Sequence, residues 1–316
     1  FVCKSVATSK ILPNTFPTQL TLIDQSCHGL LYDTQGRFII AGFDDNGNEN
    51  TQFYALPLHG GTLKPIINEE GTRNTGVILT EDGKKLYYTS SKGNPSFLNT
   101  YSYDLETGEE ELVLEGNITP TVLIGLSPNE ETQIYVTFFS NTYSLLYAKR
   151  GNEHILLTPP TNQQHTVGEA CFVSDNLVYL LTNYEADFTY LASYNLETNE
   201  FTKVKDLENE SFTSLKFDKQ MQRLYIVSEK GVEDYLYMYD LQTNDWKEIQ
   251  SPCSYIEKLV VTKLGNLYLL GGTATKPKNI YHLKENGWIS LTQYNVPGID
   301  QNELVEPDII TYTSYD

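Results

Sequence analysis

"VILTEDGKKLYYTSSKGNPSFLNTYSYDLETGEEELVL" (Val77 to Leu114) reads as two strand-turn-strand pairs placed back to back. "VILT" and "KLYYTS" flank the turn signal Glu81 to Lys85, and "YSYDL" and "EELVL" flank Glu106-Thr107-Gly108. β-Branched and aromatic residues suit a pleated surface, and Gly, Asn and Asp tolerate the positive φ of a tight turn. The stretch therefore predicts four successive antiparallel strands.

Outward from it, the same form recurs. The second pair has counterparts in "FYALPLHGGTLKPI", "LLYAKRGNEHILLT", "LASYNLETNEFTKV", "LYMYDLQTNDWKEI" and "IYHLKENGWISL". Equivalent tyrosines fall at Tyr54, Tyr103, Tyr147, Tyr194, Tyr239 and Tyr281, in steps of 49, 44, 47, 45 and 42 residues. The first pair has counterparts whose second strands are "RFIIAGF", "QIYVTFF", "LVYLLTN", "RLYIVSE" and "NLYLLGG". A repeat of this period is one supersecondary unit, and a lone four-stranded sheet cannot cover both of its faces. Stacked sheets bury one another, and closing the stack removes exposed edges. The expected fold is all-β: a β-propeller of six four-stranded blades spanning residues 24–293. A seventh blade would require residues 1–23 to join with the tail 294–316. No amphipathic helical pattern competes with this reading.

Composition narrows the partners. Lys+Arg 22 against Asp+Glu 41 gives a net charge of -19 over 316 residues. That balance repels phosphate backbones and anionic lipid, so neither nucleic acid nor a membrane is an expected partner. No run of about 18 apolar residues offers a bilayer span. Cys3, Cys27, Cys171 and Cys253 lie far apart without a CxxC pair, which argues against zinc and redox motifs. Reduced, mostly buried thiols in a reducing cytoplasm are expected, with no metal and no cofactor. The opening "FVCKSVATSK" has neither Met nor the pattern of a secretion signal and reads as the start of a fragment.

"VILTEDGKKLYYTS" resembles the "SPDGK" repeat of TolB-like propellers and of the propeller domain in the prolyl oligopeptidase and acylaminoacyl peptidase family, and "GLSPNEETQIYVTF" is a looser second copy. The end of the chain, "LTQYNVPGIDQNELVEPDIITYTSYD" (Leu291 to Asp316), is similar to that family's junction, where a Pro-Asp and a strand ending in Ser-x-Asp-Gly follow the last blade. Glu306-Pro307-Asp308 and Ser314-Tyr315-Asp316 carry the likeness. In that family the strand enters a C-terminal α/β-hydrolase domain bearing Ser, Asp and His. The resemblance implies a non-catalytic propeller that covers the hydrolase active site and admits only short peptides, with that domain of the same polypeptide as its partner. The alternative is a stand-alone interaction propeller of the TolB-like or kelch-like kind, to which "LYLLGG" with "YHLKENGW", and "YDLQTNDW", have some similarity. A metal-dependent lactonase on a propeller would need carboxylate and Asn ligands, and the apolar first strands offer no evident set.

No catalytic residue is expected within the chain. "GLSPN" (Gly125 to Asn129) is the nearest string to a nucleophile elbow, but Asn129 replaces the final Gly and Pro128 has no N–H for an oxyanion, so Ser127 reads as a turn residue. His59, His154 and His282 fall on outer hairpins, where solvated histidines are ordinary. Cys27 and His28 are adjacent on a strand and point to opposite faces, which opposes a Cys-His dyad. Function on a propeller usually lives in its loops, here the connections from second to third strands. "DDNGNEN" contributes Asp44, Asp45 and Glu49, "NYEADFT" contributes Glu185 and Asp187, and "EKGVED" contributes Glu229 and Asp234. Such carboxylates are the candidates for facing a substrate or partner, by holding a peptide amine or a hard cation. Charge-rich, solvated loop tips are the bland account of the same residues.

Overall fold

The computed structural model describes residues 19–33, 35–300 and 303–313. Most of segment 1–23, with Cys3, and the closing Ser314-Tyr315-Asp316 therefore lie outside the described residues. The described residues contain six four-stranded antiparallel sheets, each a meander in chain order, and no α-helix. The fold is a six-bladed β-propeller.

Blade 1 comprises Cys27–Tyr32, Phe38–Phe43, Gln52–Pro57 and Lys64–Ile67, and blade 2 comprises Asn74–Leu79, Lys85–Ser90, Asn99–Asp104 and Glu110–Glu115. Blade 3 is built from Thr121–Leu126, Thr132–Ser140, Tyr143–Arg150 and Glu153–Leu156, and blade 4 from Val167–Phe172, Leu177–Thr182, Tyr190–Asn195 and Glu200–Lys205. In blade 5 the strands are Ser211–Asp218, Arg223–Lys230, Glu233–Asp240 and Trp246–Ile249, and in blade 6 they are Tyr255–Val261, Leu267–Gly272, Asn279–Lys284 and Gly287–Ser290. All six tyrosines of the repeat fall on third strands. The chain groups into two compact units, one holding blades 1 to 4 as far as Lys205 and the other beginning at Asp206 with blades 5 and 6.

Burial explains why the second strands were so conspicuous. Ile39 to Phe43, Leu86 to Ser90 and Val178 to Thr182 are buried residue after residue on both sides of the strand. A strand covered on both faces has no need to alternate apolar with polar. In the first unit Ile134, Val136 and Leu146 of blade 3 pack with Val178, Leu180 and Tyr194 of blade 4. Within the second unit Tyr225, Val227 and Leu236 of blade 5 pack with Leu259, Leu267 and Leu269 of blade 6.

One repeated device was not anticipated. A short polar residue stands at or within two residues of the end of each first strand: Asp33, Thr80, Ser127, Ser174, Asp218 and Thr262, at steps of 47, 47, 47, 44 and 44. Its side-chain oxygen accepts a backbone N–H of the turn beyond: Arg37 to Asp33 at 2.8 Å, Lys85 to Thr80 at 3.0 Å, Thr132 to Ser127 at 2.9 Å and Asn266 to Thr262 at 3.1 Å. A short polar side chain here satisfies an N–H that the ladder leaves unpaired. In the first unit arginines extend these turns between blades. Arg37 grips Asp33 and donates to the Gly83 carbonyl at 2.7 Å, and Arg150 donates to Asn176 Oδ1 at 2.7 Å.

Two expectations are corrected. Val305 to Thr313 forms no strand and is exposed, because no neighbouring strand supplies its hydrogen bonds. His282 is not a solvated hairpin residue. It is buried, stacked on Tyr268 at 4.2 Å between ring centroids, and burial lowers its pKa.

Candidate functional site

The predicted carboxylates divide sharply once their surroundings are visible. Asp44 is buried, its Oδ1 lies 2.9 Å from His28 Nε2, and its Oδ2 accepts the Glu49 N–H at 3.1 Å. The His28 contact, which outweighs burial, and the Glu49 amide hold Asp44 below the ordinary carboxylate range. Asp44 thus shapes its own loop, in which Asn46 and Glu49 adopt positive φ of 51° and 61°. Asp45 is exposed and accepts from Gln25 at 3.1 Å and Asn46 at 2.8 Å. Glu185 and Asp187 are exposed on the blade 4 loop, where Glu185 accepts from the Tyr184 hydroxyl at 3.2 Å. The first unit does not assemble these residues into a cluster.

Glu229 and Asp234 differ. "EKGVED" is not a long loop but the tip of a hairpin, with Gly231 at φ 65° and Val232 as its two-residue turn. Glu229 stands directly opposite Asp234 in register, and Lys230 opposite Glu233. Like charges facing each other across a ladder oppose folding. Lys230 could relieve this, but its ammonium turns to the buried Glu210, 3.3 Å away, where Ser228 Oγ and Tyr237 OH also donate at 2.8 and 3.0 Å.

Beside this hairpin lies a cavity of about 340 Å³, lined by polar Glu233, Asp234, Glu248, Gln250, Ser254 and Thr273 and by apolar Leu236, Ile249, Pro252 and Cys253. The connection from blade 5 to blade 6 forms one wall. It is fixed by Asp234 N–H donating to Ser254 O at 2.8 Å, by Ile256 N–H donating to Asp234 Oδ2 at 2.5 Å, and by Trp288 Nε1 donating to Gln250 O at 2.7 Å. Each carboxylate has a neutral neighbour on one oxygen: Ile256 N–H for Asp234, Tyr235 OH at 3.3 Å for Glu233, and the Gln250 amide at 2.8 Å for Glu248. No cation pairs with any of the three among the described residues. Burial first, then the charge of Glu229, raises the Asp234 pKa.

Cys253 is the cysteine that lines this cavity. Burial pushes the Cys253 thiol up to about 11, so it stays protonated and inert at neutral pH. Cys27 and Cys171 are only partly buried, and Cys27 Sγ turns to Gly29 O at 3.5 Å while its neighbour His28 turns to Asp44, so no dyad forms. Ser127 is a turn residue as expected, donating to Asn129 Oδ1 at 2.6 Å. Among the described residues no group of three or more His, Cys, Asp or Glu is arranged to hold a metal ion.

A second surface, in the first unit, is apolar. The blade 3 hairpin turns through Asn141 and Thr142 alone and exposes Phe138 and Phe139, with Phe139 stacked on Tyr143 at 4.8 Å. Phe138 N–H donates to Pro120 O at 3.0 Å, which holds the segment bearing exposed Ile118 beside them.

Comparison with known proteins supports the fold. The chain matches a prolyl endopeptidase structure with a TM-score of 0.74 and 16% identity, over 88% of this chain and 43% of that one. The fold is similar to that of the prolyl oligopeptidase propeller. The chain spans less than half the length of that peptidase, and its described residues form the propeller alone, with no hydrolase domain among them. An oligogalacturonate lyase in complex with manganese matches with a TM-score of 0.69 and 18% identity, over 88% of this chain and 81% of that one. TolB from Acinetobacter baumannii matches at 0.56 and 12%, over 82% and 60%. No protein-family model and no curated relative matches the sequence.

Proposed function

We propose that this chain is the non-catalytic propeller of a serine peptidase of the prolyl oligopeptidase type, covering a hydrolase active site and restricting it to short peptides. The observation that carries the reading is the match of six blades to the propeller of a peptidase more than twice as long. Two features of the chain support it. Exposed Phe138, Phe139 and Ile118 give a propeller face that a second domain would cover, and exposed Ile309, Ile310 and Tyr312 continue beyond the last blade.

The TolB fold match keeps a stand-alone interaction propeller as the alternative. The coding sequence beyond Asp316 separates them. The peptidase reading expects an α/β pattern with G-x-S-x-G and later Asp and His, and the polypeptide expressed through it should cleave blocked short peptides while sparing folded proteins. A stop codon directly after Asp316 would end that reading.

A further inference from the structure

We infer that the uncharged end of blade 3 is the surface that anchors the hydrolase domain of the same polypeptide. The inference rests on the peptidase reading and locates, within the first unit, the contact which that reading needs. Residues 116–126, 132–148 and 155–168 carry no Asp, Glu, Lys or Arg, in a chain of which 20% is charged. They supply most of the strands of blade 3, its turn from second to third strand and the connections that enter and leave it. In a four-stranded meander that turn lies at the same end as the start of the first strand and the finish of the fourth. The charged residues between Thr121 and Leu156, namely Glu130, Glu131, Lys149, Arg150 and Glu153, all stand at or beside the turns of the opposite end. The equivalent turns of blades 1 and 4 carry Asp44, Asp45 and Glu49, and Glu185 and Asp187.

The same end is stiff and apolar. The second and third strands of blade 3 have nine and eight residues against six each in blades 1, 2 and 4, so its hairpin is the longest in the first unit. Thr119 Oγ1 donates to Phe138 O at 2.5 Å, and the Thr121 and Thr137 hydroxyls lie 3.1 Å apart, which ties the entering connection to the hairpin. Phe139 stacks on Tyr143, and Tyr143 meets the buried His165 edge-on at 6.3 Å. Phe138, Phe139 and Ile118 are thus exposed on a braced support, and aromatic anchors already held in place lose little entropy when covered. Depletion of charge with enrichment of aromatics is the composition of an interface core. The lack of charge also selects the occupant. A separate partner gains no electrostatic steering from such a patch, and a second copy brings the same net charge of -19 against it. A tethered domain needs no steering, because its linker raises the effective concentration to about the millimolar range, where a small apolar contact suffices.

The test is amide hydrogen exchange over residues 138–143, measured in the 316-residue chain and in the polypeptide expressed through its following domain. Exchange there is expected to slow by about tenfold or more in the longer protein, and by more than at the acidic turn 44–49. Phe139→Ser in the longer protein should return residues 138–143 to the exchange of the short chain, while the melting temperature of the 316-residue chain stays in place because the side chain is exposed. Ile118→Ser, which leaves the Phe139 and Tyr143 stack intact, should act in the same direction and guards against a disturbed hairpin. Equal exchange over 138–143 in the two proteins, or protection confined to the acidic turns of blades 1 and 4, would overturn the inference. A stop codon after Asp316 ends the peptidase reading and this inference together, whereas equal exchange in a longer protein that does cleave short peptides ends this inference alone.

Discussion

Glu210, just before blade 5, and the carboxylates Glu233, Asp234 and Glu248 within it have opposite fates. Glu210 is buried and saturated by Ser228, Tyr237 and Lys230. Glu233, Asp234 and Glu248 border a cavity with no cation partner among the described residues. Blade 2 repeats the first pattern: Lys92 bridges Glu69 at 3.0 Å and Glu110 at 2.7 Å, and Tyr88 OH also donates to Glu110. Saturated carboxylates are part of the scaffold. Unsaturated ones are held in place by the scaffold at some cost to it, which is the usual relation between a fold and its binding site.

The largest effect expected from this contrast is at Glu210. Glu210→Ala strands a buried hydroxyl pair and a lysine, and should cost about 2 kcal/mol, read as a fall of several degrees in melting temperature. Asp234→Asn, which keeps an acceptor for Ile256 N–H, should cost nothing. If the two variants melt alike, the division into scaffold and site fails.

Lys92 comes next. Its two glutamates raise its pKa to about 12. A folded value above the unfolded one means that the stabilisation is fully present below about pH 10.4 and is lost as pH rises through 12. Because Lys92 is about a third exposed, solvent screening limits the effect of Lys92→Met to about 1 kcal/mol or less. Chemical denaturation at pH 8 and pH 12 checks this: the gap between wild type and variant should close at the higher pH.

Much of this architecture was legible beforehand, for identifiable reasons. Second strands such as "KLYYTS" and "LVYLLT" are buried on both faces and so read as unbroken apolar runs, and the tyrosine spacing fixed six units. The site was harder to read. "EKGVED" looked like a loop because five of its six residues are charged or Gly, yet strand pairing runs as far as Lys230 and Glu233. Had the two-residue turn been recognised, the register alone would have set Glu229 against Asp234. Glu233 and Glu248 carried no signal, since only the fold brings the fourth strand of blade 5 and the following connection beside that hairpin. Asp44 was selected correctly as unusual, but its burial with His28 makes it a loop anchor. His282 was misplaced because its stacking partner Tyr268 lies on the neighbouring strand, and its burial cannot be seen from local polarity.

Supplying the missing cation sharpens the comparison. Gln250→Lys places an ammonium where the Gln250 amide now meets Glu248, while the Trp288 indole N–H still finds the backbone carbonyl of residue 250, which the substitution leaves in place. The variant should convert the cavity to the Lys92 pattern. Stability is expected to rise by at most about 0.5 kcal/mol, as for other exposed ion pairs. A fall in the melting temperature would show that Glu248 gains nothing from a cation.

The smallest effect is also the one whose sign discriminates best. Burial, aided by Glu229, raises the Asp234 pKa above its ordinary value of 3.8. The ionised carboxylate therefore opposes folding at neutral pH, and the group contributes its full stability only below its unfolded value, losing it as pH rises through the folded one. Asp234→Asn removes the charge but keeps the acceptor. It should melt slightly higher than wild type at pH 7, by under about 0.5 kcal/mol, and the advantage should vanish as pH falls below about 4, where both side chains are neutral. A scaffold carboxylate gives the reverse: Glu210→Gln should lose stability at pH 7, because an ionised acceptor shared by Lys230, Ser228 and Tyr237 is replaced by a neutral amide. Opposite signs for these two carboxylates would identify Asp234 as a position the fold keeps charged against its own stability, and Glu210 as one whose charge the fold uses.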